Sequence, residues 1–180
     1  MDGSNNTIFN NTLLNIYQNG ICLTYLNNSL VRNNKILLKK TSNNIYLDLI
    51  GIKIDYTNYC NVLNNLIPDF NDYGFYVKGS NLNIIFNNSI QNSETCGIYL
   101  VESDNNSIAG NFITYTGNCI KESNCYGNIY NNNMCHKIPG IIFGYNIWFI
   151  VGVVILTSTM ILKKQSLYYK KRNKIIQNAY

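Results

Sequence analysis

Residues 74–96, GFYVKGSNLNIIFNNSIQNSETC, can be laid over residues 97–119, GIYLVESDNNSIAGNFITYTGNC, without a gap. Gly74 then falls over Gly97, Tyr76 over Tyr99, Ser80 over Ser103, Asn83 over Asn106, Ile85 over Ile108, Asn88 over Asn111, Ile90 over Ile113 and Cys96 over Cys119, always at an offset of 23. Asparagine richness alone would not align glycine, serine, apolar and cysteine positions together. The period extends both ways. Asn64-Asn65 precede Asn87-Asn88 by 23, Asn10-Asn11 precede Asn33-Asn34 by 23, NNTIFNNT at 5–12 stands 22 before NNSLVRNN at 27–34, and Asn111 is followed by Asn132 at 21. Between about 35 and 60 the register is lost, which predicts a loop or an irregular turn there.

Within a unit, short apolar pairs alternate with asparagine: GIYL, then NNSI, then NFIT. Apolar runs this short, bounded by turn formers, read as strands of three or four residues and not as helices. Asparagine suits the corners because it tolerates the left-handed backbone region and its amide bonds to nearby backbone. A period of about 20 to 25 with several strands per unit predicts a solenoid. Stacked about 4.8 Å apart, its coils would place Asn above Asn in an amide ladder and Ile above Ile in a continuous core. About six coils fit in residues 1–137. A leucine-rich repeat has a similar period but needs L-x-x-L-x-L-x-x-N, which no unit here spells.

Charge divides the chain in a second way. Residues 1–138 carry eight Lys/Arg and all nine Asp/Glu, whereas residues 139–180 carry six basic residues and no acid. The main domain therefore lacks the clustered cations that a nucleic-acid face requires, and no nucleic-acid partner is expected. With 46% hydrophobic and 13% charged residues, the chain is not disordered by composition. Between the two parts lies IIFGYNIWFIVGVVILTSTMIL, residues 141–162, whose length as a helix, about 33 Å, suffices for a bilayer core. Tyr145 and Trp148 sit near one end and Lys163-Lys164 abut the other. The expectation is a single transmembrane helix over 138–162, with the basic tail 163–180 cytoplasmic and residues 1–137 outside. MDGSNNTIF has neither a basic nor an apolar leader, and the repeat is already under way at residue 5, so a truncated start is the reading preferred over insertion driven by 141–162 itself.

The G-I-Y-L, S-x-N-N-x-I and x-x-N-x-I units over residues 5–135 resemble the repeats of right-handed parallel β-helix proteins, the NosD-like and carbohydrate-binding or sugar-hydrolase group. The ending, Ile138-Pro139-Gly140 followed by an apolar span and Lys-Lys, is similar to the C-terminal anchors of archaeal surface proteins. The resemblance implies an all-β right-handed solenoid; its scaffold hosts both enzymes and binding proteins, so it says little of activity. Polysaccharide hydrolases of that group use carboxylates from adjacent coils, and the candidates here are Glu102, Asp104 and Glu122, with Asp69 and Asp72. They are sparse and lack a neighbouring His/Arg set, so solvated corners are the plainer reading. Copper is raised by the same resemblance, but the single histidine, His136, has no His/Met cluster around it. No cofactor is expected.

Six cysteines, at 22, 60, 96, 119, 125 and 135, suit an oxidising exterior. The 23-residue offset places Cys96 one coil from Cys119, within disulfide reach, and Cys125 with Cys135 could cap the last coil; buried free thiols are the alternative. Sequons at Asn5, Asn10, Asn27, Asn87 and Asn105 are candidate glycosylation sites, though an Asn-rich chain generates such triplets by chance. Tyr73, Tyr76, Tyr99 and Tyr115, with Tyr126 and Tyr130, are candidates for stacking on sugar rings. The sequence thus points to a membrane-anchored surface protein that binds a polysaccharide or a protein, more plausibly than to a polysaccharide-degrading enzyme or a fragment without a role.

Overall fold

A computed structural model describes residues 3–38, 48–68, 71–115 and 117–138. These belong to the first of the two units into which the chain divides, Met1–Pro139 and Gly140–Tyr180. The apolar segment 141–162, the basic tail and Asp69 lie outside the described residues. Every regular element among those described is a strand, and every strand pairing is parallel.

The strands line up on three faces of a β-solenoid. On the first, Thr7–Phe9, Leu30–Arg32, Asn61–Leu63, Ile84–Phe86, Ser107–Ala109 and Ile129–Asn131 stack in six rungs. The second carries Thr12–Ile16, Lys35–Leu38, Leu66–Ile67, the start of Ser89–Val101, Phe112–Tyr115 and Met134–Lys137. The third has five rungs, Asn19–Thr24, Ile50–Asp55, Asn71–Lys78, the end of Ser89–Val101 and Asn118–Ser123. The chain therefore makes about five turns, one fewer than the repeat suggests, because six rungs on a face enclose five revolutions.

Coil lengths explain where the sequence period held and where it failed. Thr7 pairs with Leu30, Asn61 with Ile84 and Ile84 with Ser107, each at the 23-residue period. Leu30 pairs with Asn61, a coil of 31 residues whose extra eight fall in the stretch where the register was lost. Ser107 pairs with Ile129, so the last coil has only 22. Asn111 accordingly meets Asn133, not Asn132 as the 21-residue spacing suggested.

Inside, each face contributes one or two aliphatic columns. Val31, Val62, Ile85 and Ile108 run down the first face, Ile36, Ile67, Ile90 and Ile113 down the second, and Ile52, Phe75, Ile98 with Ile54, Val77, Leu100 down the third; all are 0% exposed. At the period of two along a strand, these inward positions alternate with outward ones, and burial at every rung removes the apolar surface from water.

All three corners follow one rule. A residue with positive φ is followed by an inward polar residue that hydrogen-bonds to its counterpart one coil on. At the corner after the first face, the positive-φ residues are Asn10, Asn33, Asn64, Asn87, Gly110 and Asn132, and the ladder is Asn11, Asn34, Asn65, Asn88, Asn111 and Asn133. In the ladder, each backbone N–H donates to the next Oδ1 at 2.8–3.0 Å and each side-chain amide donates to the same oxygen. The corner before the first face places Asn5, Asn28, Tyr59, Leu82, Asn105 and Gly127 at positive φ, ahead of a ladder through Asn6, Ser29, Cys60, Asn83, Asn106 and Asn128. The third corner uses Thr57, Ser80, Ser103 and Cys125. Parallel coils cannot bond these corner N–H groups to strand partners, and a buried donor left unmade costs about 1–3 kcal/mol. An Asn-Asn pair is thus one left-handed residue followed by one ladder rung.

Candidate binding face

The outer surface of the third face gathers three of the tyrosines singled out from the sequence. Its outward column runs Cys22, Lys53, Tyr76, Tyr99, Lys121, one residue per coil. Tyr73 lies on the same strand as Tyr76 and stacks on Tyr99, with ring centroids 5.9 Å apart and planes 18° from parallel. Tyr76 meets both rings edge-on, 5.6 Å from Tyr73 and 5.8 Å from Tyr99. Lys121 Nζ stands 5.3 Å over Tyr99, a cation–π contact, and Lys53 pairs with Asp55 at 3.3 Å. Burial, followed by the negative charge of Asp48, raises the Tyr73 phenol above the usual tyrosine range, so it is a neutral hydroxyl at any ordinary pH. The result is a half-exposed aromatic strip bounded along the solenoid axis by a lysine at each end, with phenol hydroxyls as donors and acceptors.

The remaining tyrosines go elsewhere. Tyr115 is on the second face, packed against the core. Tyr126 is 80% exposed at a corner of the last coil, and Tyr130 occupies the inward column of the first face. Two aromatic residues that the repeat did not reveal, Tyr25 and Tyr56, stack at 5.3 Å with planes 6° apart on the corner adjoining the third face, and the Tyr56 ring covers Gly79. They stand 31 residues apart, across the long coil, so the 23-residue alignment passed over them.

The acids serve the corners. Asp104 accepts the Tyr126 N–H at 2.7 Å and donates its own N–H to Asn81, and Asp72 accepts the Leu49 N–H at 2.7 Å. Glu102 is an exposed positive-φ corner residue. Glu122 faces inward in the last coil, where it accepts hydrogen bonds from Tyr130 Oη and from Asn128 at 3.3 Å. Four of the five sequon asparagines, Asn5, Asn10, Asn87 and Asn105, are positive-φ corner residues, and the residue after each is a ladder asparagine. Asn27 differs by one place: Asn28 takes the positive φ. The corner rule itself therefore writes N-N-S/T.

The cysteines pair differently from either expected arrangement. Cys119 bonds to Cys135, with Cα atoms 5.8 Å apart, while Cys22, Cys60, Cys96 and Cys125 are free. Because the last coil is one residue short, Cys96 stands in register with Asn118, and Cys119 takes the place of Gly97. Cys125 is a corner rung that accepts the Ser103 N–H, which keeps it from Cys135.

Parallel strands on three faces and polar ladders at the corners define a parallel β-solenoid. Residues 38–180 match the family described as periplasmic copper-binding protein (NosD), and the chain belongs to the NosD family. No curated protein matches the chain.

The residues present do not fit a copper ion. The one histidine, His136, is exposed on the last strand; Cys119 and Cys135 are tied in a disulfide; and Cys60 and Cys96 are buried in internal hydrogen bonds. Among the described residues no three His, Cys, Asp or Glu side chains gather around a common point. A copper site needs several soft or imidazole donors together.

Proposed function

We propose that this protein is a surface binding protein, carried on a membrane by residues 141–162 with its solenoid outside and the basic tail in the cytoplasm, and that the tyrosine strip of the third face holds a polysaccharide chain. The carrying observation is the Tyr73–Tyr76–Tyr99 cluster set between Lys53 and Lys121. Coils about 4.8 Å apart repeat at nearly the spacing of sugar units along an extended glycan, so rings on neighbouring coils can face neighbouring sugars. Sugar C–H faces stack on aromatic rings, and the phenols and ammonium groups supply hydrogen bonds at the edges. The family's periplasmic description and the disulfide, which persists in oxidising compartments, support the outward placement of the solenoid. The length and apolarity of 141–162 and the adjoining cations support the anchor.

The test is a glycan array probed with the whole protein in detergent. Retention on one class of polysaccharide, abolished in Y76A/Y99A, is the expected result. No retention on any glycan, or retention that survives Y76A/Y99A, would overturn the reading.

A further inference from the structure

The last coil departs from the others at matched positions. In each earlier coil a glycine at the start of the third-face strand has an isoleucine of the second face packed against it, 16 residues later in sequence: Gly20 with Ile36, Gly51 with Ile67, Gly74 with Ile90 and Gly97 with Ile113. A Cβ on any of these glycines would collide with that isoleucine side chain. In the last coil the same two places hold Cys119 and Cys135, again 16 apart, and they are covalently joined. Cys119 follows Gly97 in its column, and Cys135 pairs with Ile113 in its column.

Two further inward positions change in the same coil. Glu122 pairs with Leu100, ending the column Leu23, Ile54, Val77, Leu100, and Tyr130 pairs with Ile108, ending the column Val31, Val62, Ile85, Ile108. Their hydrogen bond closes the interior with polar atoms, around an open hollow of about 390 Å³ lined by Cys119, Ile120, Lys121, Glu122, Tyr130 and Cys135. Ile120 is the one aliphatic side chain left at the inward strand positions of this coil. A coil filled this way has little apolar burial to hold it, and terminal repeats of solenoids need such a cap.

We infer that the Cys119–Cys135 disulfide is a redox-dependent clasp. It substitutes for the glycine–isoleucine packing of the inner coils, and it fixes the last coil once the chain meets an oxidising compartment. The chemistry is thiol–disulfide exchange with a protein dithiol oxidant in its disulfide form. The exposed Cys135 thiolate attacks the oxidant's disulfide and forms a mixed disulfide, releasing one oxidant thiol. The Cys119 thiolate then displaces the second, so two thiols lose two protons and two electrons and the oxidant leaves as a dithiol. Reduction reverses this and frees Asn118–Ser123, Ile129–Asn131 and Met134–Lys137, while the inner coils keep their own packing.

Hydrogen exchange followed by mass spectrometry on the full chain in detergent, with and without a phosphine reductant, tests the clasp. Reduction should speed exchange about tenfold or more in those three strands and leave residues 50–113 unchanged. C119S/C135S should behave as the reduced protein in either condition. C119G/C135I, which restores the pair found in the inner coils, should exchange slowly with or without reductant. Equal exchange in the oxidised and reduced wild-type chain would overturn the proposal, and so would a C119G/C135I variant as labile as C119S/C135S.

Discussion

Residues 61–113 and residues 117–138 have the same path, rung for rung, yet they are held by different means. The inner coils are filled by aliphatic columns at 0% exposure and by Asn ladders in which each amide is bonded on both sides. In the last coil, the strands Ile129–Asn131 and Met134–Lys137 have no buried residue, and a disulfide and a Glu–Tyr hydrogen bond stand where Ile, Leu and Gly stood. The lesson is that a solenoid's path is set by corner geometry and inter-coil hydrogen bonds, which both regions share. The depth of its stability is set by what fills the interior, which they do not share.

The comparison can be broken most forcefully at the core. Phe75→Ala should cost about 3–5 kcal/mol in denaturant unfolding, whereas Ile120→Ala in the last coil should cost about 1–2 kcal/mol, since its cavity opens to water. Equal costs would mean that the two regions are packed alike. Next come the ladders. Asn88→Ala leaves the Asn65 backbone and side-chain donors unpaired in the interior, at about 1–3 kcal/mol for each. Asn133→Ala at the open end should cost less than about 1 kcal/mol, because the donors of Asn111 can turn to solvent.

Corner substitutions sharpen the contrast at smaller scale. Leu82 holds φ at +57°, a region that costs a branched side chain about 1–2 kcal/mol, so Leu82→Gly should raise the unfolding midpoint. Asn132, at +52°, already tolerates that region, and Asn132→Gly should change stability by less than about 0.5 kcal/mol. The smallest effect concerns the buried thiols. Burial pushes Cys96 up to about 11, and Cys60 is raised for the same reason. In the unfolded chain such a thiol ionises near its ordinary value of 9.0, so the Cys96 contribution to stability is whole below pH 9 and is lost as pH rises through about 11. At pH 8, mass spectrometry after alkylation should find the exposed Cys22 modified in the native chain and Cys60 and Cys96 protected.

Much of the scaffold was legible in the residues. The offset that joined Ile85 to Ile108 and Asn88 to Asn111 is the register the structure adopts. Doublets such as Asn87-Asn88 did not say which member turns the corner and which enters the ladder, since either could do both. The tyrosine strip was half legible: Tyr76 and Tyr99 share a column by the period, but Tyr73 joins them only by packing across the strand, and Tyr115 leaves for another face. A Gly-x15-Ile spacing in four coils, becoming Cys-x15-Cys in the fifth, was the signal that would have found the disulfide. Aligning by a fixed 23 hid it.

The sequence by itself determined the period, the strand–corner alternation and the inward columns, because these depend on the chemistry of residues that recur at matched places. Tertiary structure alone decided the partners across coils. A strand alternates its sides with a period of two, so a coil shortened by a single residue moves each later side chain to a new column. That one-residue change takes Cys119 from the column of Cys96 to that of Gly97, and so to Cys135.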